Sequence, residues 1–190
     1  MIRRSILMLM TVVLLFLLAG AAWAAPITFS VGSESLWTDT EISVRPNDRV
    51  TIDYLSGGFT WADWHRGGQL FGPQGDFQPT LAFDEWITNG RHGQIIGFIG
   101  AEDPNAFPRT VRQNSPGLFV IGDGVDFLSR LNGSLWLGIN DDFTHTEWVA
   151  DNRGSALFSV DVAPVPEPST MLLLGAGLIS IGVFTRRFRR

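Results

Sequence analysis

Side chains that carry oxygen ligands cluster at two points in the last third of the chain. Asn140-Asp141-Asp142 follows an apolar segment, and Asp151-Asn152 precedes another. Carboxylate and amide oxygens are the ligands that Ca²⁺ prefers in proteins. If the two apolar segments pair as consecutive strands, the ends of their connection meet, which brings together Asn140, Asp141, Asp142, Asp151 and Asn152. Asp and Asn are also common turn formers, so these residue types leave both a calcium site and an ordinary loop open.

The composition of the chain excludes several classes of site and of function. The 190 residues include no Cys, which excludes disulfide scaffolds, thiolate zinc sites and cysteine nucleophiles. Residues 26–163 hold 18 acidic side chains against 8 Arg, a charge of about −10 that suits cation binding or solubility and disfavours nucleic acid. No nucleophile motif such as G-x-S-x-G is present, and two acids for glycoside hydrolysis can be chosen from any acidic chain. We therefore expect a protein that is not an enzyme.

The elements that position the two acidic groups are short strands. Apolar, β-branched and aromatic residues are concentrated in seven segments: 27–31, 41–44, 49–55, 94–99, 118–121, 134–139 and 156–162. Turn residues separate them, among them Ser56-Gly57-Gly58 and Asn132-Gly133, the second of which is typical of a two-residue hairpin. No window keeps a helical period over three turns. The pattern predicts an all-β, jelly-roll-like antiparallel β-sandwich over residues 25–163.

The first 24 residues have the features of a secretory signal peptide. Arg3 and Arg4 precede an apolar run at 6–20, and Ala22-Trp23-Ala24 is a small-residue cleavage site. Cleavage there makes Ala25 the first residue of the mature chain. We therefore expect export through the inner membrane, with an uncleaved anchor helix as the alternative.

The last segment, residues 164–190, has three parts in a fixed order. A Pro-rich stretch contains Pro166-Glu167-Pro168, residues 171–184 are apolar, and four Arg follow within the last five residues. A helix over 171–184 reaches about 21 Å, which is shorter than a bilayer core of about 30 Å, so it spans only with its flanking residues and local thinning. The Arg cluster is expected on the cytoplasmic side. The sequence thus predicts a single hydrophobic helix at the C-terminus.

This arrangement resembles the PEP-CTERM sorting signal. The resemblance implies that an exosortase, a membrane transpeptidase, recognises the tail and acts near Pro166, Glu167 and Pro168. It also implies that residues 171–184 insert transiently into the inner membrane. The processed protein is then expected in the periplasm, at the cell surface or in an extracellular matrix, where exopolysaccharide is a natural partner. A plain C-terminal anchor is the alternative.

The central region resembles the PA-IL-like lectins, which are calcium-dependent, galactose-binding jelly rolls. The motifs that carry the likeness keep the family's order: Trp37-Thr38-Asp39-Thr40, Gly72-Pro73-Gln74-Gly75-Asp76, the strand at 93–100, the segment at 135–141 and Asp151-Asn152-Arg153-Gly154-Ser155. The resemblance implies that Asp141 is the main calcium carboxylate and also accepts a sugar hydroxyl. It implies that Asp151 and Asn152 supply side-chain oxygens to the same ion, and that carbonyls near 144–146 and 64–65 complete the shell.

The chain departs from the lectin pattern in two places. The connection from Asp141 to Asp151 is longer, and residues 77–81 replace a segment that carries a sugar-binding His, so galactose does not follow from the likeness. Trp64 and Trp148 are candidates to stack on a sugar in its place, together with Asp141 and Asp151. For Trp37 and Trp136 we expect core positions instead.

These observations lead to one interpretation and two alternatives. The first is an exported β-sandwich that binds Ca²⁺ and a carbohydrate. The second is a structural protein of an exopolysaccharide matrix that keeps the lectin fold and has no sugar site. The third, a glycan-processing enzyme, requires a catalytic pair that the sequence does not single out.

Overall fold

The computed structural model describes residues 25–60, 70–76, 86–88, 90–107, 115–141 and 152–165, with the single positions 175, 177 and 178. Within the described residues up to 165, the chain forms nine strands and one short 3₁₀ helix at Pro104–Ala106. The strands are β1 Ile27–Gly32, β2 Trp37–Val44, β3 Asp48–Thr60, β4 Leu70–Phe71, β5 Ile95–Gly100, β6 Leu118–Val120, β7 Gly124–Leu128, β8 Gly133–Ile139 and β9 Arg153–Pro164.

The strands form two antiparallel sheets. In the first sheet, β9 lies between β1 and β3, and both β4 and β7 pair with β3. The pairing of β3 with β9 runs from Asp48 opposite Pro164 to Thr60 opposite Arg153. The second sheet has the order β2-β8-β5-β6. The predicted all-β sandwich is confirmed.

The main core lies between the two sheets and is built by alternation along the strands. In β8, Leu135, Leu137 and Ile139 are fully buried in this core, and the long strand β9 contributes Phe158 and Val160. A period of two places every second side chain of a strand on the same face. Each such side chain contributes about 1.5 to 3 kcal/mol on burial, so the core can stabilise the domain without disulfides.

A second apolar cluster covers the opposite face of the second sheet. Ile96 and Phe98 alternate with the core residues of β5 and pack there with Trp37 and Trp86. The rings of Trp37 and Trp86 meet edge to face, with centroids 5.1 Å apart. Trp37 is therefore a core residue, as predicted, and the partly buried Trp136 packs against the same cluster. Because both of its faces are covered, β5 is an almost unbroken apolar run.

The prediction of a turn at Ser56-Gly57-Gly58 is wrong, because β3 continues through these residues to Thr60. A shift in register between Tyr54 and Ser56 marks a β-bulge, and Gly57 has a φ of 99°. A side chain at Gly57 would overlap the carbonyl oxygen of Ser155 on β9. The glycine therefore serves a close approach of two backbones within the sheet.

The prediction of a two-residue hairpin at Asn132-Gly133 is also wrong. The strand before it, β7, pairs with β3 in the first sheet, whereas β8 pairs with β2 and β5 in the second. The intervening residues therefore cross from one sheet to the other. Gly133 is required because a Cβ at this position would overlap the backbone of Gly100.

Residues 25–164 form a compact unit by themselves. Every described residue of both apolar clusters lies in 25–164, so this unit has its own core and can fold by itself. The predicted signal peptide lies outside the described residues. Of the predicted C-terminal helix, Gly175, Gly177 and Leu178 are described and are helical. Across the described positions, no helix is long and apolar enough to cross a membrane.

Candidate functional site

The structure brings together Asp141, the second residue after β8, and Asn152, directly before β9. The Asn152 Nδ2 atom donates a hydrogen bond to Asp141 Oδ2 over 3.0 Å. Both residues are buried, with 5% and 3% of their surface exposed. The sequence predicts that these two residues lie close together, and they do. The expected reason, that the two flanking strands pair with each other, is wrong. The strands β8 and β9 do not pair; they belong to different sheets, and the two residues meet at one end of the sandwich.

Three further predicted site residues lie outside the described residues. They are Asp151, the second calcium carboxylate, and the two candidate stacking residues Trp64 and Trp148. Thr60, the last residue of β3, pairs with Arg153, the residue that follows Asn152.

His92, which the sequence does not single out as a site residue, lies next to Asp141. The His92 Nε2 atom is 3.7 Å from Asp141 Oδ1, and the two side chains are 20% and 7% exposed. The position of His92 follows from the pairing of β5 with β8, in which Ile95 lies opposite Ile139. His92 is three residues before Ile95, so the same antiparallel register places it beside the residues that follow β8. The pairing itself is not readable from local sequence.

The segment 72–76, which carries part of the lectin likeness, packs against the chain beside His92. The Asp76 backbone N–H donates to the His92 carbonyl oxygen over 2.8 Å, and Ile95 N–H donates to Pro73 O over 2.9 Å. Gly75 has a φ of 71°, and a Cβ at this position would lie 2.6 Å from the Gln94 backbone nitrogen. Only glycine permits this approach. Asp76 itself is 5% exposed and so adds a second buried acid to this end of the sandwich.

Asn140, which the sequence places among the oxygen-bearing residues, has a positioning role. Its Oδ1 accepts a hydrogen bond from Ile87 N–H over 2.9 Å, and its Nδ2 donates to the carbonyl oxygens of Ile87 and Arg91 over 3.2 Å each. The residue is fully buried. Its side chain thus holds the segment 87–91, which leads into His92, against the end of β8.

The chemistry of the donor set fits a divalent cation. Asp141 supplies a carboxylate, the Asn152 amide can present its oxygen after rotation about its last torsion, and His92 adds a nitrogen. A buried carboxylate needs a cation or several donors to offset its desolvation. Within the described ranges, no group of three or more His, Cys, Asp or Glu side chains converges as a metal site. The described site is therefore a carboxylate, an amide and an imidazole.

Comparison with known proteins identifies the C-terminal segment. Residues 164–190 match the PEP-CTERM protein-sorting motif, so the chain carries this sorting signal after its β-sandwich. The residues predicted to direct processing, Pro166, Glu167 and Pro168, fall inside the match; their structure lies outside the described residues, and their roles stay predictions. No curated protein sequence matches this chain.

Solved structures similar to this chain include lectins. One is the N-terminal domain of EclA, a PllA-like lectin, with a TM-score of 0.48 and 16% identity over 73% of this chain and 98% of that chain. Another is AJLec from the sea anemone Anthopleura japonica, with a TM-score of 0.38 and 14% identity over 75% of this chain and 94% of that chain.

Proposed function

We propose that this chain is an exported, non-enzymatic protein that binds Ca²⁺ and, through the ion, a carbohydrate. One observation carries the proposal: two buried side chains with oxygen ligands, Asp141 and Asn152, meet across 3.0 Å at one end of the sandwich. They come from segments that enter different sheets. A site assembled from two sheets is held in place by the whole domain, which favours a preorganised cation site.

Calcium binding requires a modest change at this contact. The Asn152 amide, which donates to Asp141, turns to present its oxygen, and both side chains then face the ion. Asp151 adds a carboxylate from the adjacent position in sequence. The negative charge of the domain, about −10 over residues 26–163, raises the local concentration of cations. Carboxylate, amide and carbonyl oxygens are the ligands that Ca²⁺ requires.

The carbohydrate would bind at the exposed side of this ion. Two neighbouring hydroxyls displace water from Ca²⁺, and Asp141 accepts a hydrogen bond from one of them. The apolar face of the sugar stacks on Trp64 or Trp148. Trp64 is favoured because it is only four residues from Thr60, which pairs with Arg153, the neighbour of Asn152 in sequence. The exopolysaccharide of the producing cell is the proposed ligand.

The C-terminal segment would deliver the domain to this ligand. The PEP-CTERM match covers residues 164–190, beginning at the last paired residue of β9. The apolar residues 171–184 hold the chain in the inner membrane until an exosortase acts near Pro166-Glu167-Pro168. The processed domain then reaches the periplasm, the cell surface or the extracellular matrix.

Calorimetric titration of residues 25–164 with Ca²⁺ tests the cation site. We expect saturable binding that Asp141→Asn weakens at least tenfold. Asp53→Asn is the matched control, because Asp53 is an exposed acid of β3 and should leave the affinity unchanged. Equal affinity in wild type and Asp141→Asn would contradict the proposed site.

A glycan array, with and without EGTA, then tests the ligand. Calcium-dependent retention of a glycan supports the proposal. Calcium binding with no retained glycan favours the structural matrix protein. Chemical conversion of an array glycan favours the enzyme.

A further inference from the structure

We propose that His92 is a nitrogen donor to the cation held by Asp141 and Asn152, and that the site therefore binds Zn²⁺-type transition metals. This inference rests on the proposed cation site and deepens it. It concerns the described residues alone and needs no ligand from the segment 142–151.

The distance between His92 and Asp141 fits two donors of one ion. Donors that each lie about 2.1 Å from a metal and subtend a tetrahedral angle are about 3.4 Å apart. The His92 Nε2 and Asp141 Oδ1 atoms are 3.7 Å apart, so a movement of a few tenths of an ångström brings both onto one ion. A direct hydrogen bond between the same atoms requires about 3.2 Å or less. The observed spacing is longer than such a hydrogen bond and is compatible with two donors of one ion.

The imidazole is carried by a backbone that is bonded on both sides. The His92 carbonyl oxygen accepts a hydrogen bond from Asp76 N–H, and the next residue, Gly93, donates from its N–H to the Asn140 carbonyl oxygen, each over 2.8 Å. Asn140 N–H in turn donates to Gln94 O over 2.8 Å. His92 therefore projects from a segment bonded to the end of β8 that also carries Asp141, which preorganises the two donors.

The donor types favour a first-row transition metal over an alkaline-earth ion. Imidazole is a good ligand for Zn²⁺ and its neighbours, whereas Ca²⁺ takes oxygen ligands. With His92, Asp141 and the amide oxygen of Asn152, the described residues provide three donors. A fourth position is then left for water or for a hydroxyl of the ligand, as in tetrahedral sites that stay open. In a calcium-only site, His92 would have no role in binding the ion.

Titrations of residues 25–164 with ZnCl₂ and, separately, CaCl₂ test this inference. We expect His92→Gln to raise the Kd for Zn²⁺ at least tenfold and to change the Kd for Ca²⁺ less than about threefold. Asp141→Asn should weaken both ions. Thermal melting of each metal-free variant is the control for folding. An unchanged Zn²⁺ affinity in His92→Gln overturns the proposal, because it means that groups other than His92 bind the metal.

The imidazole ¹⁵N resonances provide a second, direct measurement. The His92 Nε2 resonance is assigned as the one that is missing from the His92→Gln spectrum. It should shift in the wild type on addition of Zn²⁺; an unshifted resonance overturns the proposal.

The outcomes of the titrations separate the two proposals. If Zn²⁺ binding depends on His92 and Ca²⁺ does not bind, the calcium function fails and the nitrogen donor stands. If Ca²⁺ binding depends on Asp141 and Zn²⁺ binding does not depend on His92, the reverse holds.

Discussion

Asn152 donates a hydrogen bond to Asp141 over 3.0 Å, although the strand before Asp141 and the strand after Asn152 lie in different sheets. The contact therefore joins the two layers of the sandwich at one end. An ion bound between these side chains would add a second link between the sheets. Cation binding and stability of the domain are then coupled, because only the folded chain brings the two residues together.

The first prediction concerns this coupling. Ca²⁺ at a hundredfold excess over its Kd should raise the free energy of unfolding of residues 25–164 by about 2.7 kcal/mol. Asn152→Ala should lose most of this increment, since it removes an oxygen ligand. Thermal melting with Ca²⁺ and with EDTA measures the difference. Asn132→Ala, at an exposed position, should keep the full increment, and an equal increment in Asn152→Ala would argue against its role as a ligand.

The second prediction concerns Asn140. Asn140→Ala should destabilise the domain by about 2 to 4 kcal/mol, because the buried side chain satisfies both the N–H and the carbonyl of Ile87. Urea unfolding measures the loss, with Asn132→Ala as the control at about zero. A loss below about 1 kcal/mol would show that water or another group replaces these hydrogen bonds.

The third prediction concerns the crossing between the sheets. Gly133→Ala should cost about 2 kcal/mol or more, because its Cβ would overlap the backbone of Gly100, which has to move. Gly32→Ala is the matched control: no heavy atom lies within 4 Å of the Cβ position at Gly32, and the change in stability should stay within about 0.5 kcal/mol. Similar melting temperatures for the two variants would contradict the close approach.

The fourth prediction concerns an ion pair on the first sheet. Arg49 Nε donates to Asp126 Oδ1 over 2.8 Å, and this hydrogen bond holds the pKa of the Asp126 carboxyl below its ordinary value. A carboxyl whose pKa is lower in the folded than in the unfolded chain stabilises the fold at pH values above its unfolded pKa of about 4. This contribution is lost as the pH falls through the folded pKa. The wild type should therefore melt at a slightly higher temperature than Asp126→Asn at pH 7, and this difference should disappear at acidic pH. A melting-temperature difference that grows at acidic pH would contradict a lowered pKa of Asp126.

The fifth prediction concerns the sorting signal. Replacement of Pro166, Glu167 and Pro168 by Ala should leave the chain unprocessed and retained in the membrane fraction, because the motif that the exosortase recognises is gone. Immunoblots of membrane, periplasmic and extracellular fractions measure this. Val165→Ala, just outside the tripeptide, is the control and should be processed like the wild type. Normal release of the triple variant would exclude the tripeptide as the recognition element.

Much of the fold is readable from local sequence. The seven predicted segments overlap β1, β2, β3, β5, β6, β8 and β9, because alternation of apolar residues and clustering of turn formers are local signals. The strand β4 has only two residues, too few to alternate, and β7 begins at Gly124 within a group of turn residues. Both strands pair with β3, and this pairing with a distant segment cannot be read from local sequence.

Residue types and their spacing were enough to predict the fold class and the three-part C-terminal segment, whereas the resemblance to the lectins singled out Asp141 and Asn152 as candidate ligands. The folded chain was needed to show that His92 lies beside Asp141, that Asn140 positions the chain and that Trp37 and Trp86 fill a second cluster. The physical reason is the range of the interactions. Local sequence determines which side chains are present, whereas the pairing of β5 with β8 and the meeting of two sheets determine which of them lie next to one another.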